Sequence, residues 1–368
     1  MKLAIIGSRG YPYVYSGYET FVQEVAPRLH QAGVEVHVYC HRHLFAKKPN
    51  QVNGIYLHYM PSVPTKSLSQ LSNSFLSTVH ALFKGYSAIL YVNSANGIFG
   101  VLTRLFGKRT AINVDGLEWL RPKWKGLGAK TFYFTSRMAT KWMDVIVTDA
   151  EAMRQVYLAE FKKDSVVIAY GANIRHSKQP ELIRRWNLNR HDYYLIVGRL
   201  IPDNNALLIL QEFIKSDSKK KLVVVGDVPY KDEYATNIKQ IKDERVLFTG
   251  YVKDPDELAE LYHNCFAYFH GHEFGGTNPT LLKALAYGCA VLALDTTFSR
   301  EVLAGDQYGL YFSKEQGSLR MLVRTVENEE ALIETLRHKS RQRIISEYTW
   351  EKITRQYLDL IDSMVKIK

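Results

Sequence analysis

Short apolar runs alternate with amphipathic stretches along the whole 368-residue chain. The runs are KLAIIG, EVHVYC, GIYLHYM, AILYVN, TAINVD, DVIVTD and VVIAYG in the first half, and YYLIVGR, KLVVVGD, VLFTGYV, AYFHG and AVLALD in the second. Strands that are apolar on both faces are typical of parallel sheets covered by helices on both sides. The pattern therefore predicts an α/β chain with two doubly wound, Rossmann-like halves.

The length of the chain and its 46% hydrophobic content allow two separate cores. A strand that ends in YGAN, Tyr170 to Asn173, is followed by a polar stretch before the next series of strands. We therefore expect one domain at 1–172 and a second at 173–348. Residues 349–368 carry apolar side chains at helical spacing and predict a closing helix, whose partner domain the sequence leaves open.

Composition disfavours several classes of protein. Cys40, Cys265 and Cys289 form no CxxC pair, which argues against a disulfide framework or a zinc site and fits a reducing cytoplasm. The apolar N-terminal run is too short for a secretion signal, and no window reaches the roughly 18 apolar residues of a spanning helix. The net charge of +11 is uneven, since Arg104 to Lys141 contains nine Lys or Arg against two acidic residues.

The loop after the first strand, GSRGYPYVYSGYE, carries Gly7, Gly10 and Gly17 before a helix that begins near Tyr18. Glycine lets a backbone approach a phosphate closely, and the free N–H groups of a helix start attract anions. The spacing does not match GxGxxG, which disfavours an NAD enzyme. An ordinary strand-to-helix turn is the alternative to an anion site.

In the second half, Arg199 directly follows a strand in LIVGRLIPDNN, and Asp203 or Asn204 precedes an amphipathic helix. Ligands of open parallel sheets bind beyond the carboxyl ends of the strands, where an arginine fork suits bidentate phosphate binding. We expect Arg199 to bind phosphate there. A surface ion pair between Arg199 and Asp203 is the alternative.

The stretch HGHEFGGTNPTLLKALAYG prepares a helix N-terminus. Thr277 or Asn278 is expected to cap the helix, Pro279 fits its first turn, and Gly288 suits its C-terminal cap. The N–H groups from Gly275 onward would then be free to bind a second anion at the same cleft.

The segment GLEWLRPKWKGLGAKTFYFTSRMATKWMD mixes aromatic and basic side chains, beginning with Trp119, Arg121, Lys123 and Trp124. This combination suits an anionic membrane surface and a lipid diphosphate acceptor. No recognition motif supports nucleic acid as the partner. A solvated basic face with the aromatic side chains in the core is the alternative.

The only DxD pattern is DPD, Asp254 to Asp256. A helical sequence, ELAELYHNC, follows it, so helix capping explains the pattern better than metal binding. No metal or other cofactor is expected.

Seven motifs in order carry a family resemblance. They are GSRGYPYVYSGYETFVQEVA, VDGLEW, VVIAYGAN, VGRLIPDNN, FTGYV, HGHEFGGTNPTLLKALAYGCAVLALD and SREVL, and they span nearly the whole chain. Together they resemble the GT-B-fold glycosyltransferases of family 4, in particular the bacterial branch that includes rhamnosyltransferases of capsule and rhamnan synthesis. The resemblance implies two Rossmann-like domains whose parallel sheets face a central cleft.

The resemblance also implies a reaction. A sugar would pass from a nucleoside diphosphate sugar, held mainly by the C-terminal domain, to an acceptor held mainly by the N-terminal domain. Family members usually retain the anomeric configuration without a metal, and the leaving diphosphate oxygen can take the acceptor's proton. The residues that we match to donor binding are Gly17, Arg199, Asn204, Tyr251, Val252, Gly275, Gly276, Thr277 and Asn278, with the backbone around Tyr251 reading the base.

Asp115, in INVDGLEW, lies at a strand end where related enzymes often carry a histidine or an aspartate close to the transferred sugar. We expect it to hydrogen-bond the sugar or to orient the acceptor, whereas as a general base it would serve an inverting reaction. An Asx-turn into Gly116 is the structural alternative.

The chain departs from the family pattern at a pair of glutamates with seven residues between them. Aligning TLLKALAYG with the usual LLEAMA puts Lys283 at the second position and Gly275 at the first. Glu273 lies two residues too early, although a shifted loop would still aim it at the cleft as a catalytic residue beside Asp115 and Arg199. Asn204 lies where many relatives place a phosphate-binding lysine, so we hypothesise that Lys283 supplies the missing cation.

These observations predict a cytoplasmic, membrane-associated glycosyltransferase of bacterial surface polysaccharide synthesis, with dTDP-rhamnose as the leading donor by resemblance. The donor base, sugar, acceptor, linkage and stereochemistry stay open. The alternatives are a catalytically impaired binding partner in a polysaccharide-assembly complex and a sugar-nucleotide epimerase on the same fold.

Overall fold

The computed structural model describes residues 1–12, 17–63, 65, 68–114, 116–121, 126–228 and 232–366. The chain forms two compact units, the first from Met1–Gly171 together with Trp350–Lys368, and the second from Ala172–Thr349. The observed division therefore lies one residue before the predicted boundary, and the predicted closing segment is part of the first unit.

The first unit contains an eight-stranded sheet in the order β3-β4-β2-β1-β5-β6-β7-β8. Every neighbouring pair is parallel except β3 and β4. The strands are β1 (Lys2–Ile6), β2 (Glu35–His41), β3 (Gln51–Val52), β4 (Ile55–Met60), β5 (Ala88–Val92), β6 (Thr110–Asn113), β7 (Val145–Thr148) and β8 (Val166–Val167). The helices that connect them are α1 (Gly17–Gln31), α2 (Leu68–Leu82), α3 (Gly100–Leu105), α4 (Leu127–Trp142) and α5 (Glu151–Phe161).

The second unit contains a six-stranded, all-parallel sheet in the order β11-β10-β9-β12-β13-β14. The strands are β9 (Tyr193–Val197), β10 (Lys221–Val225), β11 (Val246–Gly250), β12 (Ala267–His270), β13 (Val291–Leu294) and β14 (Leu310–Phe312). The helices are α6 (Ala206–Ile214), α7 (Glu233–Lys239), α8 (Pro255–Asn264), α9 (Pro279–Ala286), α10 (Thr297–Val302), α11 (Ser318–Asn328) and α12 (Glu330–Glu347). The strand order reverses between β9 and β12, and such switch points are where open α/β sheets bind ligands.

Burial on both faces explains why the central strands do not alternate in polarity. All five residues of β5 are buried, as are four of five in β1, β9 and β10. In the second unit, the ring of Tyr194 packs against Phe213, Phe266 and Phe269 at centroid distances of 5.6, 5.3 and 4.8 Å. Aromatic packing of this kind fixes the sheet to its covering helices.

The last helix, α13 (Trp350–Lys366), packs against α1 of the first unit. The rings of Phe21 and Tyr357 lie 5.0 Å apart, and the hydroxyl of Tyr357 accepts a hydrogen bond of 2.8 Å from Asn113 Nδ2. A Cβ at Gly171 would lie 2.6 Å from the Trp350 ring, so the chain enters and leaves the second unit at a tightly packed point.

The predicted fold of two α/β domains with parallel sheets is confirmed. Each of the twelve predicted runs forms a strand, while the two-residue β3 and the three-residue β14 were missed because they are too short for a recognisable pattern. Among the described residues, no helix combines the length and the apolar character that crossing a membrane requires.

Candidate functional site

The loops after β9 and β12 are bonded to each other at the switch point of the second sheet. Asn205 Nδ2 donates to Gly271 O at 2.9 Å and to Glu273 Oε2 at 3.3 Å. His272 Nδ1 lies 2.8 Å from Asn204 Oδ1, to which it donates when that nitrogen carries the proton. Two adjacent asparagines of the first loop thereby fix the backbone and side chains of the second.

The loop after β9 presents Arg199 to solvent. The backbone carbonyl of Arg199 accepts a hydrogen bond of 2.8 Å from Asn204 Nδ2, which fixes the loop. The Arg199 side chain is exposed and forms no ion pair with any residue that the structure describes, while Asp203 is fully buried. The predicted alternative, a surface ion pair with Asp203, is therefore wrong, and the guanidinium is available to an anion.

The start of α9 follows the sequence prediction closely. Asn278, rather than Thr277, is the cap, since its Oδ1 accepts from Thr280 N at 2.9 Å. Pro279 occupies the first turn, and Gly288 follows the last turn with a φ of 87°. The helix buries Leu281, Leu282 and Leu285, which holds its N-terminus at the edge of the sheet.

The turn before this cap contains the glycine pair. Gly275 has a φ of 120°, a conformation that favours glycine, and both Gly275 and Gly276 are buried. Thr277 is only 3% exposed. Without side chains at two successive positions, a ligand can approach the backbone N–H groups that precede the helix.

Glu273 is held at this edge by a cation that sequence reasoning missed. Lys314 Nζ lies 2.6 Å from Glu273 Oε2, and the glutamate side chain is 26% exposed. Glu273 N also donates to Asp203 O at 3.0 Å, which ties the carboxylate-bearing loop to the loop after β9. Lys314 follows β14, and the pairing of β14 with β13 brings it to this edge, a pairing that the sequence does not reveal.

Lys283 lies one turn inside α9 without an anionic partner among the described residues. Burial lowers the pKa of its ammonium, and the positive charge of Arg175 lowers it further. Arg175 is itself paired with Asp256, so the nearby carboxylate is already engaged. The site thus contains a partly desolvated cation that no carboxylate of the described residues neutralises.

The DPD segment caps α8, as predicted. Asp254 Oδ1 accepts from the backbone N–H groups of Asp256 at 2.8 Å and Glu257 at 3.4 Å. Among the described residues, no group of three or more His, Cys, Asp or Glu is arranged to hold a metal ion.

Tyr251 and Val252 follow β11 at the same carboxyl edge of the second sheet. Tyr251 is 54% exposed, and its hydroxyl donates to the backbone carbonyl of Asp227 at 2.9 Å. The ring therefore bridges the ends of β10 and β11, with the backbone of this segment at the edge.

In the first unit, the loop after β1 leads to α1, which begins at Gly17. Gly7 has a φ of 109°, and a Cβ there would lie 2.3 Å from Val92 O, so the ends of β1 and β5 meet in a contact that only glycine allows. Glu19 is buried and accepts a hydrogen bond of 2.8 Å from Arg9 N. The predicted sugar-binding residue Asp115 lies outside the described residues.

The predicted acceptor and membrane face requires a correction. The Trp119 ring packs edge-on against Tyr157 at 5.8 Å and Phe161 at 5.7 Å, inside an aromatic cluster of the first unit. Arg121 is only 8% exposed and pairs with Glu118 at 2.6 Å. Both side chains are therefore used within the unit, Trp119 half-buried against these rings and Arg121 buried beside Glu118. Lys123 and Trp124 lie outside the described residues.

Two family models match the chain, one in each unit. Glycosyltransferase Family 4 matches residues 15–175, and Glycosyl transferases group 1 matches residues 178–347. The first match ends at residue 175 and the second begins at 178, a few residues after the units divide at Gly171.

The names of two sequence relatives include a lipid, as part of the substrate in one and of the product in the other. The chain is 27% identical over 154 residues to N-acetylgalactosamine-N,N'-diacetylbacillosaminyl-diphospho-undecaprenol 4-alpha-N-acetylgalactosaminyltransferase of Campylobacter jejuni, covering 41% of each chain. It is 28% identical over 245 residues to alpha-monoglucosyldiacylglycerol synthase of Streptococcus pneumoniae, covering 60% of this chain and 53% of the relative. The chain thus spans about half the length of these relatives or less.

The fold also matches a solved structure over its whole length. Sucrose-phosphate synthase of Thermosynechococcus elongatus superposes with a TM-score of 0.83 at 16% identity, covering 100% of both chains. At this identity the match concerns the fold alone.

Proposed function

The chain belongs to the GT-B-fold glycosyltransferases of group 1 and family 4, and on that premise we propose that it transfers a sugar from a nucleoside diphosphate sugar to a lipid-linked saccharide. The proposed process is the synthesis of a bacterial surface polysaccharide at the cytoplasmic face of the membrane.

The observation that carries the proposal is the bonded pair of loops at the switch point of the second sheet. Asn204 and Asn205 hold the loop after β12, while Arg199 stays exposed and unpaired with described residues. A rigid pair of loops that leaves one arginine and a glycine-rich helix start available suits a diphosphate, because those groups need no rearrangement to donate hydrogen bonds.

The chemistry follows from where charge develops. When the bond between sugar and diphosphate breaks, negative charge grows on the leaving diphosphate oxygen, and the Arg199 fork and the N–H groups before α9 stabilise it. The acceptor hydroxyl attacks from the face that the diphosphate leaves, and the leaving oxygen takes its proton. Configuration is then retained, with no protein nucleophile and no metal required.

Glu273 and Asp115 have supporting roles in this proposal. Glu273, fixed by Lys314, accepts hydrogen bonds from hydroxyls of the transferred sugar. Asp115 orients the acceptor, a role that rests on the family resemblance. By the same family resemblance, Gly17 is assigned to phosphate binding, and the backbone at Tyr251 and Val252 to reading the base.

The leading donor is dTDP-rhamnose, by resemblance to the rhamnosyltransferase branch. The lipid-linked acceptor is supported by the names of two relatives, one of which acts on a saccharide linked to diphospho-undecaprenol while the other synthesises a glucosyldiacylglycerol. Lys283 supplies the cation that Asn204 does not, and a bound diphosphate would neutralise it.

One observation favours a second candidate. Lys283 occupies the position of a family glutamate and has no anionic partner in the described structure. A lysine in place of that glutamate, with its charge uncompensated by described residues, is also compatible with a catalytically impaired member that acts as a binding partner in an assembly complex.

Calorimetric titration with dTDP-rhamnose, UDP-glucose and GDP-mannose, followed by transfer to an undecaprenyl diphosphate-linked sugar, tests the proposal. We expect one donor to bind without added metal, to be unaffected by a chelator, and to yield product with retained configuration. Binding without transfer or hydrolysis would favour the impaired member. Conversion of the donor in the absence of acceptor would indicate an epimerase. If no donor binds, both the glycosyltransferase and the epimerase are contradicted, because each needs a nucleotide sugar.

A further inference from the structure

The outward face of α4 alternates apolar and basic side chains. Leu127, Lys130, Phe134, Arg137 and Lys141 are separated by three or four residues, so they share one side of the helix, and all five are exposed. Leu127 is 80% exposed and Phe134 54%. The face extends for about 21 Å along the helix axis.

The ends of α2 and α3 continue this face. Arg104 Nη1 donates to Lys141 O at 3.4 Å, which joins the end of α3 to the end of α4. Phe106 then packs edge-on against Phe83 at 5.8 Å, and Lys84 follows Phe83 directly. Leu105 and Phe83 are each 75% exposed. We refer to the outward face of α4 and these two helix ends together as the basic-apolar surface.

The charge on the basic-apolar surface is strongly one-sided. Residues 36–114 contain eight Lys or Arg and no Asp or Glu. The cations of the basic-apolar surface form no ion pair with the described residues. Two acidic groups near α4 are engaged, since Asp144 accepts hydrogen bonds from Thr110 and Glu160 accepts one from Tyr133.

We propose that the basic-apolar surface docks the first unit on a bilayer that contains anionic phospholipid. Phosphate headgroups would pair with the cations while Leu127, Phe134, Phe83 and Leu105 enter the boundary between headgroups and acyl chains. The proposal rests on the proposed function in one respect, because a lipid-linked acceptor makes a bilayer the expected neighbour. It replaces Trp119 and Arg121 as the membrane face.

A bilayer explains both features of the surface at once. Cations alone would suit nucleic acid, but nucleic acid gives exposed leucines nothing to enter. Apolar side chains alone would suit a second copy of the chain, but the unpaired cations of two copies would then repel each other. Only an anionic surface with an apolar interior satisfies both groups.

Co-sedimentation with vesicles of phosphatidylcholine, with and without phosphatidylglycerol, tests the proposal without donor or acceptor. The full chain is expected to bind the mixed vesicles and not the pure phosphatidylcholine vesicles, and added salt is expected to release it. Replacing Lys130, Arg137 and Lys141 together by glutamine should weaken binding about a hundredfold, since each cation contributes about fivefold. Replacing Phe83, Leu105 and Phe106 together by serine should weaken it at least about tenfold.

A matched control lies on α11 of the second unit. Met321, 71% exposed, and Arg324 are separated by three residues on that helix, and Met321→Ser with Arg324→Gln should leave vesicle binding unchanged. Equal binding by the wild type and both triple variants, or no binding by the wild type, would overturn the proposal. So would displacement from vesicles by short RNA duplexes, or loss of dimers in the triple variants by sedimentation velocity.

The assay separates this inference from the proposed function. Vesicle binding with no sugar transfer to any acceptor would contradict the proposed function and leave the docking surface standing. Transfer to a short-chain, water-soluble acceptor by variants that no longer bind vesicles would support both.

Discussion

At the carboxyl edge of each sheet, neighbouring strand ends are joined, and the two sheets do this by different means. In the second unit, side chains make the connection, because Asn204 and Asn205 bond the loop after β12 from the loop after β9. In the first unit, a close backbone approach joins the ends of β1 and β5, because a Cβ at Gly7 would lie 2.3 Å from Val92 O. Close glycine contacts occur at both edges, since a Cβ at Gly271 would lie 2.3 Å from Asn204 O, and the second edge adds the asparagine network that joins its two loops.

The difference teaches what each edge can tolerate. A polar network can lose one member and keep its fold, so changes in the second edge should appear first in ligand affinity. A close contact with a backbone carbonyl cannot be relieved by turning a side chain, so substitution of Gly7 in the first edge should appear in stability. The following predictions are arranged to break or sharpen this contrast.

The largest effect is expected from Gly7→Ala. A side chain at φ 109° is strained, and its Cβ would collide with the carbonyl of Val92, so the free energy of unfolding should fall by about 3 to 5 kcal/mol. Urea unfolding monitored by circular dichroism measures it.

Gly33→Ala is the matched control for this substitution. Gly33 also has a positive φ, 87°, but no atom lies within 4 Å of its hypothetical Cβ. Only the backbone strain remains, which should cost about 1 to 2 kcal/mol. Equal losses in the two variants would show that the steric contact contributes nothing, and the contrast between the edges would fail.

The second effect concerns the polar edge. Arg199→Ala should weaken donor binding about a hundredfold and leave the free energy of unfolding unchanged, because the exposed guanidinium contacts no described carboxylate. Arg199→Lys should recover part of the affinity, since lysine supplies the charge without the fork. Calorimetric titration with the donor measures both.

Arg190 provides the control, since it is an exposed arginine of the same unit outside the switch-point loops. Arg190→Ala should bind donor like the wild type. A loss of stability in Arg199→Ala, with donor affinity retained, would assign the arginine to the fold rather than to the ligand.

The sequence predicted these edges well wherever the signal was local. Asn278 and Asp254 cap their helices through bonds to residues two or three positions ahead, so each motif contains both partners. The strands could be predicted equally well, because each apolar run by itself indicates a strand that is buried on both faces. The loops could be assigned to one edge because parallel strands end on the same side.

Features that depend on strand order could not be predicted. Lys314 reaches Glu273 across 41 residues of sequence, through a three-residue strand that no pattern reveals. The inward turn of Trp119 depends on rings as distant as Phe161. Alternating aromatic and basic residues identified a basic segment correctly, but only the helix geometry separates its exposed face from its buried one.

The third effect is a loss of stability in acid, to which a buried histidine contributes at each edge. Burial lowers the pKa of His41, the last residue of β2, to about 4, and that of His270, the last residue of β12, to about 3. In the unfolded chain these two histidines bind protons below about pH 6.5, whereas in the folded chain they stay neutral until the pH approaches the lowered pKa values. The free energy of unfolding should therefore fall as the pH drops from about 6.5 toward these values, by about 1.4 kcal/mol per pH unit for each histidine.

Urea unfolding between about pH 7 and about pH 5 measures this slope. His270→Gln should remove the share of one histidine, and His41→Gln should do the same in the first unit. A slope that neither variant changes would show that other groups cause the acid sensitivity. A change in only one variant would show that the two edges respond to protons differently.

The smallest effect is expected from Lys283→Met, which keeps the apolar stem and removes the charge. The ammonium is partly desolvated and has no described anionic partner, so its removal should leave the free energy of unfolding unchanged or raise it. Donor affinity should fall about fivefold to tenfold, less than in Arg199→Ala, because a lysine acts as a point charge at the diphosphate. If Lys283→Met leaves donor affinity unchanged while Arg199→Ala weakens it, Lys283 does not compensate for Asn204. Lys283→Glu then decides the remaining question, since restored or increased transfer would identify the lysine as the cause of an impaired site.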